Sequence, residues 1–239
     1  PNGYVAATDI PFTVSGADKD GKKENQAYTV TDKRVTMLKV DMCGTDVDGA
    51  QLSVFAKDGS LVDQWTTKAG DHHFVNGLRA GQTYTVKETI IPEGFVKAAD
   101  YTFTVADDGK DQTETIVDKQ VEISKEDAGG KEVEGAKLTI TDKETGQAVD
   151  SWTSGKETHY ASGLEVGKTY TLTEDTAPLG YVKATDIDFT VNDDGVDQKV
   201  TMVDTIERLA KVDDKGNVLK GATLEARDED GNVIDTWES

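Results

Sequence analysis

The chain has 239 residues, 36% hydrophobic and 30% charged, with a formal net charge of −20. So acidic a surface repels phosphate and argues against nucleic-acid binding, and the absence of an apolar run of bilayer length argues against membrane insertion of this segment. The single cysteine, Cys43, excludes an internal disulfide framework; an incidental thiol and a link to another chain both stay open.

Self-similarity decides the organisation. The opening segment PNGYVAATDIPFTV, from Pro1 to Val14, returns as PLGYVKATDIDFTV from Pro178 to Val191. A Gly-Ala-x-Leu strand start occurs at Gly49, Gly135 and Gly221, spaced by 86 residues (135 − 49 and 221 − 135). The run from Tyr84 to Val105 returns from Tyr170 at the same spacing. In chain order this predicts the late part of one copy over 1–32, complete copies over 33–119 and 120–205, and the early part of a further copy over 206–239. The joints, Asp118-Lys119-Gln120 and Asp204-Thr205, are very short, so a rod-like array is expected. The chain reads as a monomeric window on a longer repeat polypeptide that continues covalently at both ends.

Within a copy, short alternating runs rich in Thr, Val, Tyr and Ile are separated by turn signals such as Lys57-Asp58-Gly59, Asp108-Gly109, Asp194-Gly195 and Asp230-Gly231-Asn232. Helical periodicity is absent. About seven strands per copy predict an all-β fold, a tandem of immunoglobulin-like β-sandwiches. A domain this small buries a limited core and is marginal unaided.

Side chains two apart on a strand share a face. On the first strand of the second full copy Lys125 shares a face with Val121 and Ile123. In the first full copy Lys39 follows Val35 and Met37, and in the last piece Lys211 follows Leu209. A middle strand places Glu174 with Tyr170 and Leu172, and Glu88 with Tyr84 and Val86. The final strand places Asp204 with Val200 and Met202, Asp118 with Ile116, and Asp32 with Tyr28 and Val30; Glu114 interrupts the apolar run before Asp118. Three ionisable residues per copy therefore point inward. Burying an isolated charge is very costly, and grouped charges offset one another only in part. One Lys between two carboxylates still leaves an excess negative charge. Condensation of the Lys amine with the Asp carboxyl removes two charges and leaves a protonated Glu to hydrogen-bond the new amide. Burial favours a neutral, nucleophilic amine and protonated carboxyls, the Glu can shuttle protons, and proximity supplies rate. Such a reaction occurs once per domain, without turnover.

With these residues the chain resembles the Cna B-type (SpaA-like, VaFE-repeat) isopeptide-forming domains of Gram-positive surface proteins and pilins. The resemblance rests on Lys-x-Asp at Lys39, Lys125 and Lys211, and on Gly-Leu-x-x-Gly-x-x-Tyr-Thr from Gly77 and Gly163. It rests also on Thr-x-x-Pro-x-Gly-aromatic from Thr89 to Phe95, one residue tighter from Thr176 to Tyr181. It implies a prealbumin-like sandwich and isopeptide bonds Lys39–Asp118 and Lys125–Asp204, with Glu88 and Glu174 as the proton-shuttling residues. Asp32 and Lys211 are counterparts in incomplete copies. Many members carry Asn in the last position; Asp here implies loss of water instead of ammonia.

Other groupings carry less. The Asp107-Asp108-Gly109 and Asp193-Asp194-Gly195 turns lack the terminal Glu of a calcium loop, and His73 and His159, one per copy, do not make a zinc site; no metal and no cofactor is expected. Trp65, Trp152 and Trp237 recur at one repeat position and are read as core packing. Two functions compete. One is a structural stalk or spacer of an extracellular, cell-wall-anchored adhesin or pilus-like fibre, a distal domain carrying any host ligand. The other is a ligand-binding adhesin module for a host matrix protein or glycan. Similar loop lengths and compositions between copies favour the spacer, and nothing argues for an enzyme with turnover.

Overall fold

A computed structural model describes residues 2–13 and 27–239. Part of the N-terminal piece expected over 1–32 lies outside them. Among the described residues every regular element is a strand. The first full copy contains β1 (Val35–Asp41), β2 (Gln51–Ala56), β3 (Leu61–Thr66), β4 (His73–Phe74), β5 (Thr83–Ile90), β6 (Tyr101–Thr104) and β7 (Gln112–Asp118). The second repeats them as β8 (Val121–Asp127), β9 (Lys137–Asp142), β10 (Ala148–Thr153), β11 (His159–Tyr160), β12 (Thr169–Thr176), β13 (Ile187–Thr190) and β14 (Gln198–Asp204). A hairpin of β15 (Thr223–Arg227) and β16 (Val233–Glu238) follows.

Each full copy is built from a three-stranded and a four-stranded sheet, ordered β4-β1-β7 and β3-β2-β5-β6 in the first, β11-β8-β14 and β10-β9-β12-β13 in the second. The alternation read from sequence decides which face is buried. On β12 Tyr170, Leu172 and Glu174 are buried, and on β14 Val200, Met202 and Asp204. Tight turns carry the chain between strands; Gly59, at φ +84°, occupies a backbone conformation that side-chain-bearing residues avoid. The first and last strands of each copy lie side by side and parallel: β1 pairs with β7 and β8 with β14. A parallel pair cannot be joined by a tight turn, so almost the whole copy is the connection between them.

The cores differ at one polar spot. Glu114, which breaks the apolar pattern of β7, accepts a hydrogen bond from the Tyr101 hydroxyl of β6 and another from Gln112 Nε2 at 2.6 Å. The bond to Glu114 pushes the Tyr101 hydroxyl up to about 12. The second copy has Val200 and Ile187 at these positions, both packed in its core. Changing Glu114 to Val alone strands the Tyr101 hydroxyl and should lower urea-unfolding stability by about 1 kcal/mol; adding Tyr101→Ile, which recreates the apolar pair, should restore it.

Candidate functional site

The parallel register places each buried Lys diagonally from its Asp. Lys39 stands opposite Ile116 and Asp41 opposite Asp118, so Asp118 is two residues further along β7, on the face Lys39 occupies. Lys125 stands opposite Met202 and Asp127 opposite Asp204 in the same relation. The third residue comes from the facing sheet. Glu88 on β5 pairs with Leu52 and Glu174 on β12 with Leu138. Each Glu is the last residue before a register shift, at Thr89 and at Asp175; such a bulge bends the strand and re-aims its side chains. The backbone then returns to hold the carboxylate: Ala98 N–H donates to Glu88 Oε2 at 3.2 Å and Ala184 N–H to Glu174 Oε2 at 2.7 Å.

The structure thus brings Lys39, Glu88 and Asp118 together between the sheets, and Lys125, Glu174 and Asp204 likewise. Lys39 Nζ contacts Asp118 Oδ1 directly and lies 3.5 Å from Glu88 Oε1. Lys125 Nζ contacts Asp204 Oδ1 and lies 3.2 Å from Glu174 Oε1. No side chain of the six is more than 2% exposed. Asp32 and Lys211 are exposed and belong to no such group.

Charge balance within this shell is incomplete. Among the described residues four buried side-chain oxygens have no hydrogen-bond partner: Glu88 Oε1, Asp118 Oδ2, Glu174 Oε1 and Asp204 Oδ2. They are the same two atoms in each copy, and each triad has one cation for two carboxylates. Burial pushes the Glu88 carboxyl up to about 7; Lys39 opposes the shift and Asp118 adds to it. Burial also raises Asp118, against the attraction of Lys39 and the hydrogen bond from its amine. A carboxyl protonated near neutral pH is therefore part of the first site.

The joints hold buried cations that the sequence did not announce. Lys33 Nζ donates to the Ala106 carbonyl at 2.8 Å, and Lys119 Nζ to the Asn192 carbonyl at 2.7 Å and to Asp194 Oδ1 at 3.2 Å. The Asp-rich turns are thus engaged with backbone and joint lysines: Asp111 and Asp197 accept from the N–H groups of Arg34 and Gln120. His73 and His159 also have roles that spacing did not suggest. Their Nε2 atoms lie 2.8 Å from Asp63 Oδ2 and Asp150 Oδ2, and their rings stack on Trp65 and Trp152 at 4.0 Å. Burial works to raise the Asp150 carboxyl, but bonds from His159 and the Ser162 N–H outweigh it and hold the group below its ordinary value. The recurrence of Asp63 and Asp150 at one repeat position was the available signal. Cys43 is exposed and free.

Two tandem β-sandwiches, each with a buried Lys and two carboxylates spanning its sheets, define the class of protein. The model of the SpaA prealbumin-like fold domain matches residues 33–120 and 119–206; the chain belongs to this family. No curated protein matches the sequence. Among solved structures it is similar to the Bacillus anthracis TIE protein, with a TM-score of 0.31 and 21% identity over 87% of this chain and 41% of that one. It is similar to the shaft pilin SpaA from Lactobacillus rhamnosus GG, with a TM-score of 0.35 and 15% identity over 75% and 99% of the two chains. For a streptococcal ancillary pilin the values are 0.35 and 23%, over 72% and 62%. The chain thus spans under half of the TIE protein.

Lys39→Met prevents any Lys–Asp pairing and leaves two buried carboxylates without a cation, at a cost of about 3–5 kcal/mol to the first copy. The sign of its pH dependence follows from Glu88. With Lys39 present its folded value, about 7, already exceeds the ordinary 4.5, and loss of the lysine's attraction raises it further, so unfolding releases a proton across that range. The stability this group contributes is full below its unfolded value and lost as pH rises through the folded one. Calorimetry of Lys39→Met should show the first copy melting earlier at about pH 8 than at about pH 5, with the second copy as internal reference.

Proposed function

We propose that these are stalk repeats of an extracellular fibre or surface adhesin, each complete copy locked by an autocatalytic Lys–Asp isopeptide bond: Lys39–Asp118 in the first, Lys125–Asp204 in the second. The observation that carries the reading is the pair of orphaned buried oxygens beside a direct Lys–Asp contact, repeated atom for atom in both copies. Condensation resolves both problems at once. The Lys Nζ lone pair attacks Asp Cγ, forming the N–C bond and a tetrahedral centre. The Glu gives a proton to the departing oxygen, takes one from the nitrogen, and water leaves as the C–O bond breaks. The product is a neutral amide whose carbonyl accepts a hydrogen bond from the re-protonated Glu. The chemistry uses no cofactor and no metal, and it ends after one event per domain, so the chain is not an enzyme with turnover.

A bond between residues 79 positions apart closes nearly the whole copy into a loop. If the entropy of disulfide loops transfers, this constrains the unfolded chain by about 4–5 kcal/mol. Its mechanical consequence is larger. Tension arrives on β1 and leaves from β7, and the bond joins them directly, so force bypasses the sandwich. A stalk needs that property. Membership in the SpaA family and the likeness to a shaft pilin and an ancillary pilin support placing the chain at the surface of a Gram-positive cell. Among the described residues no helix is long and apolar enough to cross a membrane.

Intact mass under denaturing conditions should be lower than the sequence mass by one water for each full copy, and Glu174→Gln should restore one of the two. An uncondensed mass in the native chain overturns the bonds. Condensation of the first copy should also depend on pH: because Glu88 must carry its proton, the rate measured by mass during refolding should fall about tenfold per pH unit above its value of about 7. Failure of this chain to bind matrix proteins or glycans is expected of a spacer; saturable binding favours the adhesin-module reading.

A further inference from the structure

One apolar residue is in the wrong core. Val96 belongs by sequence to the first full copy, yet it is fully buried among Val121, Ala161 and Leu164 of the second. It sits at the end of the Pro92–Val96 excursion that follows the end of β5 at Ile90. Three polar contacts fix this excursion on the second copy and a fourth, to Lys119, fixes it on the joint. The Gly94 N–H donates to Ser162 Oγ at 2.9 Å, Gln120 Nε2 to the Gly94 carbonyl at 3.3 Å, the Val96 N–H to the Lys119 carbonyl at 3.0 Å, and the Lys97 N–H to the Leu164 carbonyl at 2.9 Å.

The N-terminal segment does the same to the first copy. Val5 is 2% exposed within the core that holds Val35, Val75 and Leu78. The Gly3 N–H donates to Asn76 Oδ1 at 2.7 Å, the Val5 N–H to the Lys33 carbonyl at 2.9 Å, and the Ala6 N–H to the Leu78 carbonyl at 2.9 Å. Asn76 and Leu78 stand 86 positions before Ser162 and Leu164 (162 − 76 and 164 − 78). Gly3 and Gly94, at φ +76° and +81°, each approach an aromatic Cβ, of Phe74 and of Tyr160, where a Cβ of their own would meet it at 3.2 and 3.3 Å. The x-Gly-aromatic-Val element is thus shaped twice for one socket.

The third copy of the element is uncovered. Val182 keeps its N–H bond to the Thr205 carbonyl at 2.8 Å, the counterpart of the bond from Val96 to Lys119. Val182 is nevertheless 41% exposed, where Val5 and Val96 are buried. The socket residues that would receive it, 86 positions beyond Ser162 and Leu164, would be numbered past Ser239.

We propose that each repeat donates its Pro-x-Gly-aromatic-Val loop as a plug into the core of the next repeat, and that Pro178–Val182 is a docking element for a following copy of the same domain. The plug is directional: it is donated forward along the chain and received behind. It couples neighbouring repeats non-covalently and does not require the isopeptide bond. Glu174 keeps its bond from Ala184 although its plug is undocked, so docking is not needed to hold the Glu.

The test is residue-resolved hydrogen exchange on the full chain. Val96→Ala should reduce protection about tenfold or more in β8 and β11 of the second repeat while β2 and β5 of the first keep theirs. Val5→Ala should do the same to β1 and β4. Val182→Asp, at an exposed position, should leave every strand unchanged. Loss of protection in β2 and β5 on Val96→Ala, or in β9 and β12 on Val182→Asp, would assign each loop to its own repeat and overturn the plug; so would full protection of β8 and β11 in Val96→Ala. Intact mass of the same variants separates the two proposals, because plug variants should condense like the parent chain.

Discussion

The structure depends on how each sandwich tolerates three ionisable groups between its sheets. Lys125, Glu174 and Asp204 are as buried as the leucines around them, in a domain too small to absorb the cost of an unpaired charge. Nearly everything local follows from keeping them together. The parallel pairing of the first and last strands sets Lys beside Asp. The register shift after the Glu aims it across the interior, and the returning Ala184 N–H holds its second oxygen. A bare ion-pair triad would still carry one uncompensated charge and two unpaired oxygens. Neutralisation, whether by a proton or by condensation, is what such a core requires.

Comparison of the two copies separates requirement from tolerance. The Glu–bulge–Ala geometry recurs with the same donors and acceptors, as does the His–Asp pair stacked on Trp. The Tyr101–Glu114 pair, by contrast, has become Ile187 and Val200. A polar pair that satisfies itself can replace two apolar side chains at the edge of the core, whereas the central triad varies in no member.

Much of this was legible in the sequence because β-structure obeys a period of two. Lys125 follows Val121 and Ile123 at that period, and burial takes the same three residues inward. The 86-residue spacing located equivalent strands, and a Glu before a Pro-Gly turn marked the middle strand. What escaped has a common physical origin: it depends on where the chain goes after it leaves a strand. Nothing local in Pro92–Val96 distinguishes a surface loop from one that packs into the next domain. Lys33 and Lys119 looked like linker residues, yet their amines end on backbone carbonyls 73 residues away. Asp63 lies on a strand with little burial pattern, and its pairing with His73 bridges the two sheets, a relation that alternation along one strand cannot reveal.

The two proposals divide the mechanical problem of a repeat array between them. A Lys–Asp bond protects the interior of a copy because load passes from β1 to β7 without crossing the sandwich. It does nothing for the joint, where Lys119 and Gln120 are the only covalent path from one copy to the next. At that joint the plug, the Lys119 amine on the Asn192 carbonyl and Asp194, and the Gln120 amide on Gly94 all converge. A short joint with a buried cation and a neighbour's valine in its core has few ways to bend without exposing apolar surface or unpairing a buried donor. The covalent bond resists extension within a domain and the plug resists bending between domains. β5 ends two residues after Glu88 and the plug loop begins at Pro92, so one strand end supplies both the Glu that serves the bond and the plug.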